Sequence, residues 1–522
     1  MIRNPILPGF NPDPSIVRVG DDYYIATSTF EWFPGVQIHH SRDLANWELV
    51  ARPLDRVSLL DMLGNPDSGG IWAPCLSHHD GLFWLIYTDV KQWHGTRHKI
   101  THNYVVTAPA ITGPWSEPTY LDSTGFDASL FHDDDGRKWY LSMIWDHRAG
   151  RNQFAGILLQ EFDPATRTLI GPRKNIFRGT DLKLTEGPHL YRRDGWYYLL
   201  VAEGGTSYEH AATMARSRTI DGPYEVDPQN PFLTSAHAPD APLQKAGHAS
   251  LVRTPDDTWY VVHLCGRPLR DRRCILGRET AIQKLVWETD GWPRLAHGGR
   301  VPAVEVEAPA TPVAPPQPRS HREEFDGRSL SIHFQSLRRP IEPTWADLAA
   351  RPGWLRLRGA EPTTSTFRQS LIARRVQAFE IEATTCLEFQ PVDFKHMAGL
   401  TAYYDTRNHY YLHITRDEDH GRHLGILRYD AGEGGELAGA VARLPEAGPV
   451  HLKVAIRREV LQFSWSLDGV AWHAIGPGLD STILSDDYGT LGFTGTFVGL
   501  CAQDLTGHGH AADFDFFEYR EL

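Results

Sequence analysis

Long apolar runs are missing from this chain of 522 residues. None approaches the length of a membrane span, which excludes a bundle of membrane helices. Cysteine is scarce. The five present, Cys75, Cys265, Cys274, Cys386 and Cys501, are scattered and odd in number. They offer neither a metal-ligand spacing nor a disulfide framework, which favours a reducing cytoplasm. No block of Lys and Arg stands out, and the net charge is −13. Nucleic acid and anionic membranes are therefore not expected partners. Met1-Ile2-Arg3-Asn4-Pro5 leads into patterned sequence without an apolar h-region, so no secretory signal is visible. Strong helical periodicity is also rare. The expectation is a cytoplasmic, all-β protein of more than one domain.

What the chain has is a repeat. Asp13-Pro14-Ser15, Trp72-Ala73-Pro74, Asp127-Ala128-Ser129, Glu186-Gly187-Pro188 and His248-Ala249-Ser250 occupy one register. Eight residues after the first member of each comes an Asp: Asp21, Asp80, Asp135, Asp194 and Asp256. A turn follows, then an aromatic-rich strand such as Phe83-Trp84-Leu85 or Tyr197-Tyr198-Leu199. Five such units predict a closed radial array, a five-bladed β-propeller over residues 1–300. Most of the 16 Trp sit in these strands and read as core, with a minority free to stack on sugar faces.

Residues 301–320 are rich in Pro, including Pro302, Pro309, Pro312, Pro315, Pro316 and Pro318, and read as a stiff connector. Val304 and Val306 alternate with Glu305 and Glu307 as in an edge strand. From 321 to 522 the repeat is gone but alternation persists. Val450 to Ile456 reads as a half-buried strand. Leu461–Ser466, Asp468-Gly469 and Val470–His473 read as a hairpin. Ala512 to Tyr519 reads as a closing strand. Together these predict a β-sandwich.

The repeat places three acids, Asp13, Asp127 and Glu186, at one structural position on three blades. Innermost strands of a propeller run along its axis, so the acids should meet in one pocket, with Trp72 and His248 completing the ring. Two carboxyl groups flanking a glycosidic bond can protonate the leaving oxygen and activate water. A third acid nearby can raise the pKa of the donor. Each acid taken singly reads as a loop or capping residue; three in identical register do not. Calcium binding is a rival use of such a set, but bulky Trp72 would crowd the cage. No metal is predicted, no cofactor is required, and a structural divalent cation on the axis is left open.

Asn11-Pro12-Asp13-Pro14-Ser15, Gly125-Phe126-Asp127-Ala128-Ser129 and Thr185-Glu186-Gly187-Pro188 resemble the signature acid motifs of glycoside hydrolase family 43. Phe30 to Gly35, Gly70 to Pro74, Leu276 to Thr280 and Ala512 to Asp515 are similar to the two-domain β-xylosidases of that family. The likeness covers residues 4–522. It implies an exo-acting, inverting enzyme that removes D-xylose from the non-reducing end of β-1,4-xylo-oligosaccharides, with α-L-arabinofuranosidase activity as a related use. Asp13 would be the general base, Glu186 the general acid, and Asp127 the modulator of Glu186. Base and acid would stand about 6.5–9.5 Å apart with water between base and sugar. Arg278 would bind sugar hydroxyls and a catalytic carboxylate. Trp72 and Phe30 would be apolar walls, and His248 would hydrogen-bond near the acids. Phe497, in Gly492 to Gly499, would cross the pocket mouth from the second domain; its other reading is the sandwich core. The basic stretch Arg267–Ile275 departs from the pattern and bears on the entrance or on assembly. Relatives suggest a homo-oligomer, a tetramer. The alternatives are an arabinan hydrolase on the same propeller, which would need an open groove, and a non-catalytic carbohydrate-binding protein.

Overall fold

The computed structural model describes residues 1–310, 319–489 and 491–522. Pro312, Pro315, Pro316 and Pro318 of the predicted connector lie outside them. Five antiparallel sheets form the blades. Their innermost strands are Ser15–Val19, Gly70–His79, Ser129–His132, Glu186–Arg193 and Gln244–Arg253. Each pairs with the aromatic-rich strand after it: Asp22–Thr27, Leu82–Gln92, Lys138–Trp145, Trp196–Glu203 and Trp259–Gly266. The repeated Asp explains these turns. In blades two and four, Asp80-Gly81 and Asp194-Gly195 are two-residue connections with φ of 53° and 72°, and of 50° and 74°. Two successive positive φ values match the twist of the flanking strands, and Asp and Gly tolerate them best.

The third residue of the repeat helps to close the ring. The backbone N–H of Leu76 donates to Ser15 Oγ at 3.0 Å, and that of Ile16 donates to Ser250 Oγ at 3.2 Å. Ser129 Oγ donates to the Pro188 carbonyl at 2.6 Å. Tyr191 Oη accepts from the N–H of Leu251 at 2.8 Å, and Ser77 Oγ meets His132 Nε2 at 2.9 Å. Every neighbouring pair of blades is joined, the first to the fifth included. Ile2–Arg3 then pairs with Glu305–Val306, the strand expected from the valine alternation, and the Asn4 side chain donates to the carbonyls of Ile282 and Ala303.

The second domain is a β-sandwich of two large antiparallel sheets. Leu355, Ile381, Leu400, Leu412, Val454, Phe463 and Phe514 are buried in its core. Strand Val450–Arg457 alternates buried and half-buried along its length, as its pattern requires. Ala511–Glu521 is the closing strand. The hairpin differs from expectation in one detail: its return strand begins at His473, not Val470. Asp468 Oδ1 accepts from the N–H groups of Val470 and Ala471 and holds them in the turn. The two domains share a sheet. Trp32–Phe33, in the loop between two strands of blade one, leaves the blade and pairs with Gln335–Leu337 at the edge of the sandwich sheet. This seam sits beside the end of the propeller where the three acids lie.

Candidate active site

The shared register brings the acids together in a strained ring. Asp13 and Asp127 have φ of 56°, and His248 has 39°. A side chain rarely tolerates this region, and such strain gathers where the surroundings fix a functional geometry. Gly187, beside Glu186, has φ of 58°, and a Cβ there would come within 3.0–3.2 Å of the His248 ring. The glycine thus lets blade four approach blade five. Its N–H faces Asp127 and favours the charged form of that carboxyl, so the acid-bearing strand of blade four bears on blade three.

Asp13 is only 5% exposed. Ser28 Oγ donates to its Oδ2 at 2.7 Å and Arg278 Nη1 donates to its Oδ1 at 3.1 Å. Burial pushes its carboxyl up, but Arg278, His248, the Ser28 hydroxyl and His210 together pull it below its ordinary 3.8. Glu186 goes the other way. Burial first and then the Asp13 charge raise it to about 8, against the opposing pull of Arg278 and Lys99. Asp127 is raised well above its ordinary value by burial, then by the charges of Glu186 and Asp13. Near neutrality the site therefore holds an ionised Asp13 facing a pair of acids that retain protons jointly. This is the division of labour that acid–base hydrolysis needs.

Arg278 is a hub. Besides Asp13, its Nη1 donates to Thr206 Oγ1 at 2.7 Å and its Nη2 to the Phe493 carbonyl at 3.2 Å. Its Nε lies 3.9 Å from Asp486 Oδ2. Phe30 and Trp72 line the same space, their ring centres 6.2 Å apart. Phe30 is positioned by reciprocal backbone hydrogen bonds with Ile71, and Trp72 Nε1 donates to the Ser68 carbonyl at 2.8 Å. His248 Nδ1 stands 3.8 Å from Asp13 Oδ1, beyond hydrogen-bond reach, so its influence on the base is electrostatic.

Phe497 is not at the mouth. It is fully buried at the seam, stacked on Trp32 with ring centres 3.6 Å apart and planes 10° apart, and edge-on to Phe10. The ring that the sandwich sends to the pocket is Phe493, four residues earlier. It packs against Phe30 at 5.6 Å, Trp72 at 5.5 Å and Trp93 at 4.8 Å. The physical reason is pairing: strand Phe497–Asp504 starts at Phe497, which is held opposite Arg375 and Tyr403, whereas Phe493 precedes the strand. The N–H of Phe493 donates to Ser68 Oγ at 3.0 Å.

Other contributors carried no motif in the sequence. Ser28, Thr206 and Asp486 support Asp13 and Arg278. Lys99 Nζ lies 4.5 Å from the Trp145 ring centre and 5.4 Å from those of Trp72 and Trp93. Arg338, from the sandwich, donates to Asp67 Oδ1 at 2.7 Å and to the Asn65 carbonyl at 2.7 Å, clamping the loop that carries Ser68. The basic stretch Arg267–Ile275 docks on the sandwich rather than standing free: Arg270 Nη2 reaches Asp480 Oδ2 at 3.2 Å, and the N–H of Cys274 donates to Asp487 Oδ2 at 3.1 Å.

Comparison with known proteins agrees with this geometry. The pattern described as glycosyl hydrolases family 43 matches residues 2–293. The chain belongs to glycoside hydrolase family 43. Residues 322–520 of this family 43 enzyme match the β-xylosidase C-terminal Concanavalin A-like domain. It is 55% identical to xylosidase/arabinosidase 43B of Humicola insolens, over 100% of this chain and 98% of that protein. It is 52% identical to a β-xylosidase of Bacillus subtilis, over 100% and 99%. The crystal structure of xylan β-1,4-xylosidase from Bacillus halodurans superposes with a TM-score of 0.98 at 58% identity, covering all of both chains. The enzyme is an inverting glycoside hydrolase.

Proposed function

We propose that this hydrolase is an exo-acting β-xylosidase that releases D-xylose from the non-reducing end of β-1,4-xylo-oligosaccharides. The same pocket accepts α-L-arabinofuranosyl groups, whose hydroxyls can overlay those of xylose. Asp13 takes a proton from the attacking water. Glu186 gives its proton to the leaving oxygen. Asp127, faced by the Gly187 N–H, orients Glu186 and shares its protons. Arg278 keeps Asp13 ionised and offers donors to sugar hydroxyls. Trp72, Phe30 and Phe493 face the sugar's apolar side.

The observation that carries this reading is the closed end of the pocket. Phe493 comes from the second domain and packs on Phe30 and Trp72, over acids only 5% and 7% exposed at Asp13 and Asp127. Such a site suits one terminal sugar and opposes the open groove of an endo-acting arabinan hydrolase. The names of the relatives above support both the xyloside and the arabinoside arms. Short imported oligosaccharides in a reducing cytoplasm are the matching substrate, in keeping with five free, buried cysteines. No cofactor takes part, and a tetramer, checked by sedimentation velocity, completes the proposal.

Proton NMR of xylobiose and xylotriose hydrolysis tests the reading. The expected first product is α-xylose, one unit at a time from the non-reducing end. Release of internal fragments, or no hydrolysis of either substrate, would sink it. A β-anomer would overturn the assignment of Asp13 as base rather than nucleophile.

A further inference from the structure

The sandwich sheet that reaches the seam carries three ligand-type side chains toward its other edge. There strand His409–Asp417 runs into strand Gly421–Asp430 through Glu418, Asp419 and His420. One oxygen of Asp417 and one ring nitrogen each of His420 and His423 lie within 4.8 Å of one another. Asp417 Oδ2 is 2.9 Å from His420 Nδ1 and 3.7 Å from His423 Nε2. A tetrahedron drawn at zinc–ligand bond lengths has an edge of about 3.3 Å, between those two values.

The strand register explains the convergence. Thr415 faces His423 across the ladder. Asp417 lies two residues on, so it shares the face of Thr415 and His423. His420, three residues before His423, would point the other way in a continuous strand. Gly421 has φ of 65°, which turns the chain and brings His420 back over Asp417. The ligands are also braced. The His420 N–H donates to Asp417 Oδ1 at 2.6 Å, which leaves Oδ2 for the site. His423 Nδ1 donates to the Gly421 carbonyl at 2.9 Å, so its Nε2 carries the lone pair. His423 is only 5% exposed, and this Nε2 has no hydrogen-bond partner among the described residues. A buried acceptor in that state calls for a partner. The side chains of Asp417 and His420 are 29% and 38% exposed, so the site opens to water on one side. On the opposite face Arg422 donates to the carbonyls of Phe389, Pro445 and Gly448 at 3.1, 2.8 and 3.0 Å and fixes the strand.

We propose that Asp417, His420 and His423 bind one divalent ion of the zinc class, with water in the fourth position. Two imidazoles and one carboxylate select zinc, cobalt or nickel over calcium and magnesium, which prefer oxygen throughout. The ion closes the hairpin: it ties the end of one strand to the turn and to the start of the next. Strand Gly421–Asp430 gains from such a clip. Among the described residues its outer side pairs only with the short strands Glu433–Glu436 and Ala442–Arg443. The ion is structural and remote from the acids. The other end of strand His409–Asp417 adjoins the seam, where Thr406 donates to Asp67. Its nine residues set the turn about 25 Å from that end.

Zinc titration of the untagged full chain, stripped of metal with a chelator, tests this. The melting temperature should climb with the logarithm of free zinc. Cobalt should show the strong visible bands of a four-coordinate ion. Calcium should do neither. His420→Ala removes a partly exposed ligand. It should melt with the metal-free wild type, keep its kcat/KM on xylobiose, and bind zinc about 100-fold more weakly or worse. Asp417→Asn keeps an oxygen for the His420 N–H and should weaken zinc as well, so it serves if His420→Ala does not fold. No zinc-dependent rise in the wild type overturns the proposal. So does an equal rise in both variants, which would put the ion elsewhere, or calcium binding here as tightly as zinc. Xylobiose hydrolysis lost on stripping and restored by zinc, at a temperature where the stripped chain stays folded, would overturn the structural role.

Discussion

The propeller and the seam build one pocket by different rules. The propeller contributes by repetition: one register position on its blades supplies the three acids proposed as base, modulator and proton donor. The seam contributes by contact between segments far apart in sequence, such as Phe493 on Ser68 and Arg338 on Asp67. Repetition fixes where the acids stand. Contact fixes how large a molecule can reach them. The acids should therefore answer to mutation in rate, and the seam residues in fit or in stability.

The largest effects should come from the propeller side. Glu186→Ala removes the proton donor and should lower kcat/KM on xylobiose by about 10²–10⁴-fold. p-Nitrophenyl xyloside needs less help in leaving, so its loss should be smaller. Asp13→Ala removes the base that every substrate needs and should cost both substrates alike. Equal losses for Glu186→Ala on the two leaving groups would contradict its assignment as the acid.

Two phenylalanines four residues apart split the seam. Phe497→Ala opens a cavity beneath Trp32 and Phe10 and should destabilise the fold by about 3–5 kcal/mol. At a temperature where it stays folded, kcat/KM should remain near that of the wild type. Phe493→Ala should do the reverse. It should melt close to the wild type, yet lose about tenfold in kcat/KM, or ~1.4 kcal/mol, mainly through a higher KM. Thermal melts and steady-state kinetics on the two variants are enough. If Phe497→Ala carries the kinetic defect, the pocket has been drawn with the wrong ring.

That pair also marks the border of what sequence can reveal. Asp13, Asp127 and Glu186 were legible because a repeat puts equivalent residues in equivalent places, and a closed ring sends those places to one axis. Arg278, Trp72 and Phe30 were legible by resemblance. Phe497 misled because both phenylalanines lie in one Gly- and Thr-rich segment, Gly492 to Gly499, and only strand pairing decides which stacks in the seam and which packs on Phe30 and Trp72. Pairing with Arg375 and Tyr403 depends on residues about 90–120 positions away, and no local pattern records it. Arg338 and Asp486 were invisible for the same reason. A lone charged residue reads as surface until its partner across the seam is known. The hairpin start at His473 was missed through a side-chain cap on the turn, which competes with strand pairing for the N–H groups of Val470 and Ala471.

The smallest effect is the most informative about the ring. Asp13 is held below 3.8 and Glu186 is raised to about 8. The kcat/KM profile should therefore be a broad bell. Its acid limb should lie below the usual carboxylate range, where Asp13 gains a proton. Its alkaline limb should lie near 8, where Glu186 loses one. Asp127→Asn keeps an oxygen to face the Gly187 N–H but cannot become negative. If the Asp127 charge resists ionisation of Glu186, its removal lets Glu186 ionise more readily, and the alkaline limb moves to lower pH. Burial and Asp13 rank first among the causes of the Glu186 shift, so the movement should be a fraction of a pH unit. The acid limb should hardly move. A fixed alkaline limb with a lowered kcat would reduce Asp127 to orienting Glu186 through Gly187. Three acids in one register would then perform by geometry what like-charge repulsion was expected to do.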